Sequence, residues 1–301
     1  MRITAVVLLI AVLTGTLAAC GGIKEQDTET ILNSELLKFH EIEITRPENP
    51  YYNFFNGEIK VEIALHVQGE HGSYYFAQGG WNDELIKELV LISEEGIAFA
   101  KEWLGIEIEE PVDFIFNVIK PEADNLLNLW GGGGILGTAV YINIPAKDMP
   151  ALIIHEAVHA VLRIDSRLSN FPTPPETSSM AHALFLEEGL CSVIDYLYFL
   201  QTEYNYDHNR YGRIKNTETY LHDQARWSLR HNKNFENEAE FGTKYPQLMS
   251  YETAASFIYF LIEYKGTKED FMLVFDDIYL FEEIYGVDTD SMIKEWLNYL
   301  L

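Results

Sequence analysis

The stretch LIIHEAVHAVL, residues 152 to 162, sets His155 and His159 four residues apart in an apolar run, with Glu156 directly after the first histidine. On a helix, residues i and i+4 share a face, with β-carbons about 5–6 Å apart. Two imidazoles placed that way can reach one tetrahedral metal ion through bonds of about 2.0–2.1 Å. Glu156 is turned about 100° around the helix from His155, so it can reach a metal-bound water without binding the metal itself. Metal-assisted hydrolysis needs this division of labour: the ion activates the water and polarises a carbonyl, and the carboxylate takes the proton. The competing reading is a core helix that happens to carry its histidines inward. Two histidines and a glutamate buried without partners are costly, and a metal ion removes that cost.

A third ligand is needed. Leu162 and Asp165 stand where a local continuation of the motif would require glycine and histidine. Asp165 could coordinate, but without the glycine the chain lacks the tight turn that would bring it back to the metal. A better source is the later segment LFLEEGLCSVIDY, residues 184 to 196.

His155-Glu156-Ala157-Val158-His159 followed by Leu186-Glu187-Glu188-Gly189-Leu190 resembles the gluzincin metallopeptidases, the aminopeptidase-N-like and thermolysin-like superfamily. The resemblance implies a zincin-like fold and one zinc ion held by His155, His159 and Glu188, the glutamate that precedes glycine, with Glu156 as general base. The 28 residues between His159 and Glu188 exceed the family's commoner spacing, and the loop FPTPPETSS accounts for the excess. Downstream, YETAASF (251 to 257) is similar to a helix start whose tyrosine hydroxyl binds the tetrahedral oxyanion, a role that falls on Tyr251. A tyrosine that opens an amphipathic helix can equally be packing. Glu187, about 100° from Glu188, reads as solvent-facing or as a substrate contact. Asp195 and Ser192 are candidates to accept the second N–H of a ligand histidine, while Cys191 either faces the metal or is a small core residue.

In that superfamily a peptide lies along an edge strand just before the metal helix, the position that GGGGILGTAVYINI occupies here. Aminopeptidases of the family bind the free α-amine through an acidic group in this region, and no Asp or Glu occurs from Gly131 to Ile144. The expected substrate is therefore a peptide or protein cut internally, or some other amide.

The elements that must position these residues read as α+β. EIEIT, GEIKVEIALHV and SYYFA alternate apolar and polar residues, as antiparallel strands do. Asn82 or Asp83 can cap a helix that stops near Gly105. Val112–Ile119 and Gly137–Ile144 read as strands. A helix from about Met149 to Arg163, with Asp148 as cap and Pro150 in its first turn, carries the motif. Helices follow over 181–200, 218–230, 251–264 and from Thr267 to the end. The expectation is a mostly antiparallel sheet with a helix (36–145), then a mainly helical half (146–301), with the active-site helix at the junction.

Ahead of that domain, residues 1–19 read as a secretory signal: Arg2, an apolar stretch, then small residues. Leu17-Ala18-Ala19-Cys20, followed by two glycines, resembles the lipobox of bacterial lipoproteins. It implies cleavage before Cys20 and lipid on its thiol, with a polar tether over 20–35. The implied location is the cell envelope, at the outer face of the cytoplasmic membrane or in the periplasm, with membrane contact only through that lipid. The alternative is ordinary secretion. Cys191 is then left without a partner, so no disulfide supports the fold. The formal charge of −26 opposes nucleic acid as a partner. A second functional class also remains: a non-catalytic envelope lipoprotein with a structural or vestigial zinc site, binding a partner through its abundant Tyr and Phe.

Overall fold

The computed structural model describes residues 42–54, 59–118, 132–144, 149–165, 179–202, 219–231, 248 and 250–301. The segments expected to be signal and tether, with Cys20, Asp148 and most of the FPTPPETSS loop, lie outside the described residues. A compact unit runs from Ile44 to Leu301 and holds every element below. Among the described residues no helix is long and apolar enough to cross a membrane.

Six strands form one sheet in the order β1-β2-β3-β4-β6-β5: β1 (Tyr51–Phe54), β2 (Ile59–Gln68), β3 (Gly72–Ala77), β4 (Val112–Val118), β5 (Gly133–Leu136) and β6 (Ala139–Ile144). The expected antiparallel sheet is in fact mixed. β1 with β2, β2 with β3 and β5 with β6 are antiparallel, but β3 with β4 and β4 with β6 are parallel. The parallel β3–β4 pair arises from α1 (Asp83–Leu104), which carries the chain from the end of β3 back to the start of β4 as a crossover. Asn82 caps this helix through Leu85 N, and Gly105 ends it in the left-handed conformation, φ 67°. Glu94 on α1 fixes the β2–β3 turn by accepting from the backbone N–H groups of His71 and Gly72 and from the Tyr74 hydroxyl.

Tyr74, Phe76, Phe114, Phe116, Val140 and Ile142 are buried, and the Phe76 and Phe116 rings stack at 5.1 Å. A second cluster of buried residues includes Val61, Ile63, Ile115 and Tyr141. The sheet curls strongly: the Tyr52 hydroxyl on β1 donates to Asp113 Oδ2 on β4 at 2.6 Å, although three strand spacings along a flat sheet would span about 14 Å. A bulge between Ile63 and Leu65 adds to the twist.

The expected strand at EIEIT is reduced to a single bridge between Thr45 and His66. The glycine run, by contrast, yields a strand of its own. β5 pairs back on β6 through a turn at Gly137, φ 69°, and forms the edge of the sheet.

The helical half begins with α2 (Met149–Ile164) and continues with α3 (Ser179–Thr202), α4 (Tyr220–His231) and α5 (Tyr251–Phe260), which ends in a π-helical turn, Leu261–Lys265. The expected final helix is broken into α6 (Lys268–Asp276), α7 (Phe281–Tyr285) and α8 (Thr289–Leu300). Asp277 leaves helical geometry and caps the turn after it, Gly286 stops α7 at φ 73°, and Asp288 caps α8 through Ser291 N.

Candidate metal centre

Two glycines bring the site's helices together. A Cβ on Gly96 of α1 would lie 2.7 Å from Ile154 Cδ1 and 3.4 Å from Ile154 Cα, so the glycine lets α1 press against α2. A Cβ on Gly189 of α3 would lie 2.9 Å from the Ala254 carbonyl carbon and 2.6 Å from Ile258 Cδ1. The residue after Glu188 must therefore be small for α5 to approach.

On α2, His155, His159 and Arg163 form one stripe at spacing four, and α3 presents Glu187, Glu188 and Asp195 to it. His155 Nε2, His159 Nε2 and Glu188 Oε2 converge in a triangle with sides of 3.1, 3.2 and 3.2 Å. Behind the triangle, His155 Nδ1 lies 3.3 Å from Asp195 Oδ2, and His159 Nδ1 lies 2.6 Å from Glu187 Oε1. Each neutral imidazole has one N–H, and carboxylate partners draw it to Nδ1. With both Nε2 atoms deprotonated, two nitrogen lone pairs and a carboxylate oxygen face one another, an arrangement that a cation resolves; protonated, the Nε2 atoms donate to Glu188 instead. His155, His159 and Glu188 are thus placed to hold a metal ion.

The electrostatics agree. Burial, the largest influence, works to lower the pKa of both histidines. For His155 the hydrogen bonds to Asp195 and Glu188 outweigh it, and for His159 those to Glu187 and Glu188 do; both values are raised. Glu188 is held well below the usual carboxylate range because burial, which would raise it, is overcome by hydrogen bonds from the two histidines. The centre favours positive charge. Glu156, also buried, is raised by burial against the opposing effect of His155 and His159. A carboxylate with a raised pKa is a better proton acceptor near neutrality.

Tyr251, the first residue of α5, sits with its ring 5.9 Å from that of His155 in an edge-to-face arrangement and is 48% exposed, so solvent reaches it. Glu188 keeps 24% of its side chain exposed, whereas His155 and His159 keep 8% and 5%.

One expectation needs correction. Glu187 is not solvent-facing: its side chain is 13% exposed and holds His159. Of the two candidates for holding a ligand histidine, Asp195 does so at 1% exposure, whereas the buried Ser192 Oγ has no hydrogen-bond partner among the described residues. Cys191 is buried and lies outside the metal-binding group, and burial pushes its thiol up, with Glu187 and Glu188 adding to the effect, so it stays protonated. Asp165, just beyond the end of α2, is outside the group as well. The sequence reading also missed Tyr141 on β6, whose hydroxyl is raised by burial and then by Glu156; its only sequence signal was its place in the strand before the metal helix. Compared with known protein families and with curated proteins, the chain matches none.

Proposed function

We propose that the protein is a zinc-dependent peptidase of gluzincin type, with the zincin-like fold that this implies. The observation that carries the reading is the triangle of His155 Nε2, His159 Nε2 and Glu188 Oε2. Its sides of 3.1 to 3.2 Å approach the roughly 3.3–3.4 Å between ligands of a tetrahedral ion with bonds of about 2.0–2.1 Å. A closed structural site would need a fourth protein ligand, and among the described His, Cys, Asp and Glu residues none joins these three.

Zinc held by the three groups would supply Lewis acidity, acidifying a bound water and polarising the scissile carbonyl. Asp195 and Glu187 orient the two imidazoles and keep their Nε2 atoms free of protons. Glu156 takes the proton of the attacking water and passes it to the leaving amine. The Tyr251 hydroxyl donates to the oxygen that gains charge in the tetrahedral intermediate. β5, the edge strand among the described residues, offers its outer backbone groups to an extended peptide. With no acid from Gly131 to Ile144 to bind a free α-amine, cleavage falls within a chain. On the sequence reading of residues 1–20, the enzyme acts in the cell envelope, anchored by lipid on Cys20.

The test is metal analysis of the native protein together with cleavage of a mixed peptide library whose N-termini are blocked. The expected result is one zinc per chain, internal cleavage, and a loss of roughly 10²–10⁴ in turnover for Glu156→Gln with zinc retained. A metal-free native protein, or full activity in Glu156→Gln, would sink the proposal.

A further inference from the structure

The two ligand histidines are supported unequally. Asp195, behind His155, is enclosed by protein, whereas Glu187, behind His159, is reached by another group: Arg163 Nη2 lies 3.5 Å from Glu187 Oε1, the same oxygen that meets His159 Nδ1 at 2.6 Å. Arg163 stands one helical turn beyond His159 on the same stripe of α2, and its side chain is 35% exposed. Glu187 has two demands on one oxygen, a short hydrogen bond from an imidazole and the charge of a guanidinium. A glutamate has three rotatable bonds, and a carboxylate fixed from one side only would turn toward water as easily as toward the ring.

We infer that Arg163 and Glu187 form a positioning relay behind the metal centre. The guanidinium holds the Glu187 carboxylate at His159 Nδ1, and Arg163, which is not among the metal-binding groups, thereby sets how tightly the centre holds its ion. The inference rests on the metal-site reading above but not on peptide cleavage. Arg163 also acts through space on Glu156, whose value it lowers, so the relay must be separated from a direct effect of the charge.

Zinc affinity, measured on the full-length protein by competition with a chromogenic chelator, makes that separation in a double-mutant cycle. Glu187→Gln should weaken zinc binding by roughly 10- to 100-fold. Arg163→Met should weaken it by roughly two- to fivefold, the scale of a partly exposed ion pair, and Arg163→Lys should recover part of the loss. In the Glu187→Gln background Arg163→Met should change nothing further, because the relay is already cut. The melting temperature of the zinc-free protein should be the same for wild type and Arg163→Met. Equal losses from Arg163→Met in both backgrounds mean that the charge acts directly and overturn the relay, as does no loss in either. Tight zinc binding without peptide cleavage overturns the peptidase reading and leaves the relay standing. A wild type that takes up no zinc overturns both.

Discussion

Two regions of the helical half bury histidine, and they do so in opposite chemical surroundings. His155 and His159 lie between α2 and α3 among Asp195, Glu187 and Glu188, and their pKa values are raised. His222 lies between α4, α5 and α8, where its ring centroid is 5.0 to 6.0 Å from those of Tyr259, Tyr264 and Tyr299. Its value is pushed down to about 4, by burial first and then by Arg226, with Asp223 opposing. Ser256 Oγ accepts from Trp296 Nε1 at 3.0 Å and lies within hydrogen-bond distance of His222 Nδ1, at 2.8 Å, and with so low a value His222 stays neutral. Carboxylates around an imidazole make a place for a cation, and aromatic rings with one hydroxyl make a place for a neutral ring. Burial of histidine alone says nothing about function; the neighbouring side chains decide it.

The most severe way to break the contrast is to remove the carboxylate shared by both ligand histidines. Glu188→Ala deletes one corner of the triangle, and zinc affinity should fall by roughly 10²–10³, a ligand's share of the binding energies known for zinc sites. Chelator competition checks this. An unchanged affinity would show that Glu188 is not a ligand.

The aromatic region gives the next largest effect, and its sign is fixed by linkage. An unfolded histidine titrates near 6.5, while folded His222 resists protonation down to about 4. The stability it contributes is complete above pH 6.5 and is lost as pH falls toward 4, up to about 3 kcal/mol. His222→Asn keeps a polar partner for Ser256, able to donate or accept, and removes the titration. Urea unfolding of wild type and variant from pH 7 to 4 should show the variant losing less stability on acidification. Parallel curves would place His222 in contact with solvent.

Gly189 links the two regions, since it sets the approach of α3, which carries Glu188, to α5, which carries both Tyr251 and Ser256. Gly189→Ala puts a methyl group against the Ala254 backbone and should cost about 1–3 kcal/mol by overpacking. Peptide cleavage should fall more than zinc affinity, because α5 brings Tyr251 but no ligand. Thermal melts and kinetics on one preparation separate these effects.

The helix of His155 and His159 was legible almost to the residue, Met149–Arg163 expected and Met149–Ile164 found, because an apolar run with proline in its first turn leaves little choice. Glu188 could be placed because glycine follows it, and the close approach at Gly189 gives the steric reason. Glu187 was misread on a sound helical angle. Residues 100° apart can both face a partner helix when that partner offers two histidines a turn apart: Glu188 meets the Nε2 atoms of both, and Glu187 meets Nδ1 of His159. The parallel pairings were hidden because alternation records which face a residue takes and not which way its strand runs. β5 was hidden because glycines have little strand preference of their own. Pairing with β6 makes that strand, and at Gly134 a Cβ would meet the Tyr141 ring at 2.7 to 3.0 Å.

A third histidine tests whether the rule drawn from the first two extends beyond the helices. His66 on β2 has both kinds of neighbour: the Tyr75 ring at 4.8 Å, and Asp113 near enough to act on its charge. Burial lowers its value and Asp113 pulls it back up, so it falls between the carboxylate-lined pair and the ring-lined His222. Asp113→Asn keeps the shape of the side chain and an acceptor for the Tyr52 hydroxyl but removes the charge. If neighbouring charge decides the state of a buried imidazole, His66 should titrate lower in this variant, while His222, on elements remote from the curl, should not move. Both are readable from ring proton shifts in one NMR titration. The change is expected to be the smallest of the series, because burial remains the larger influence at His66. A rise in the His66 value would mean that loss of the Tyr52–Asp113 clamp had opened the curl to water, and the comparison would then rest on solvent access instead of charge.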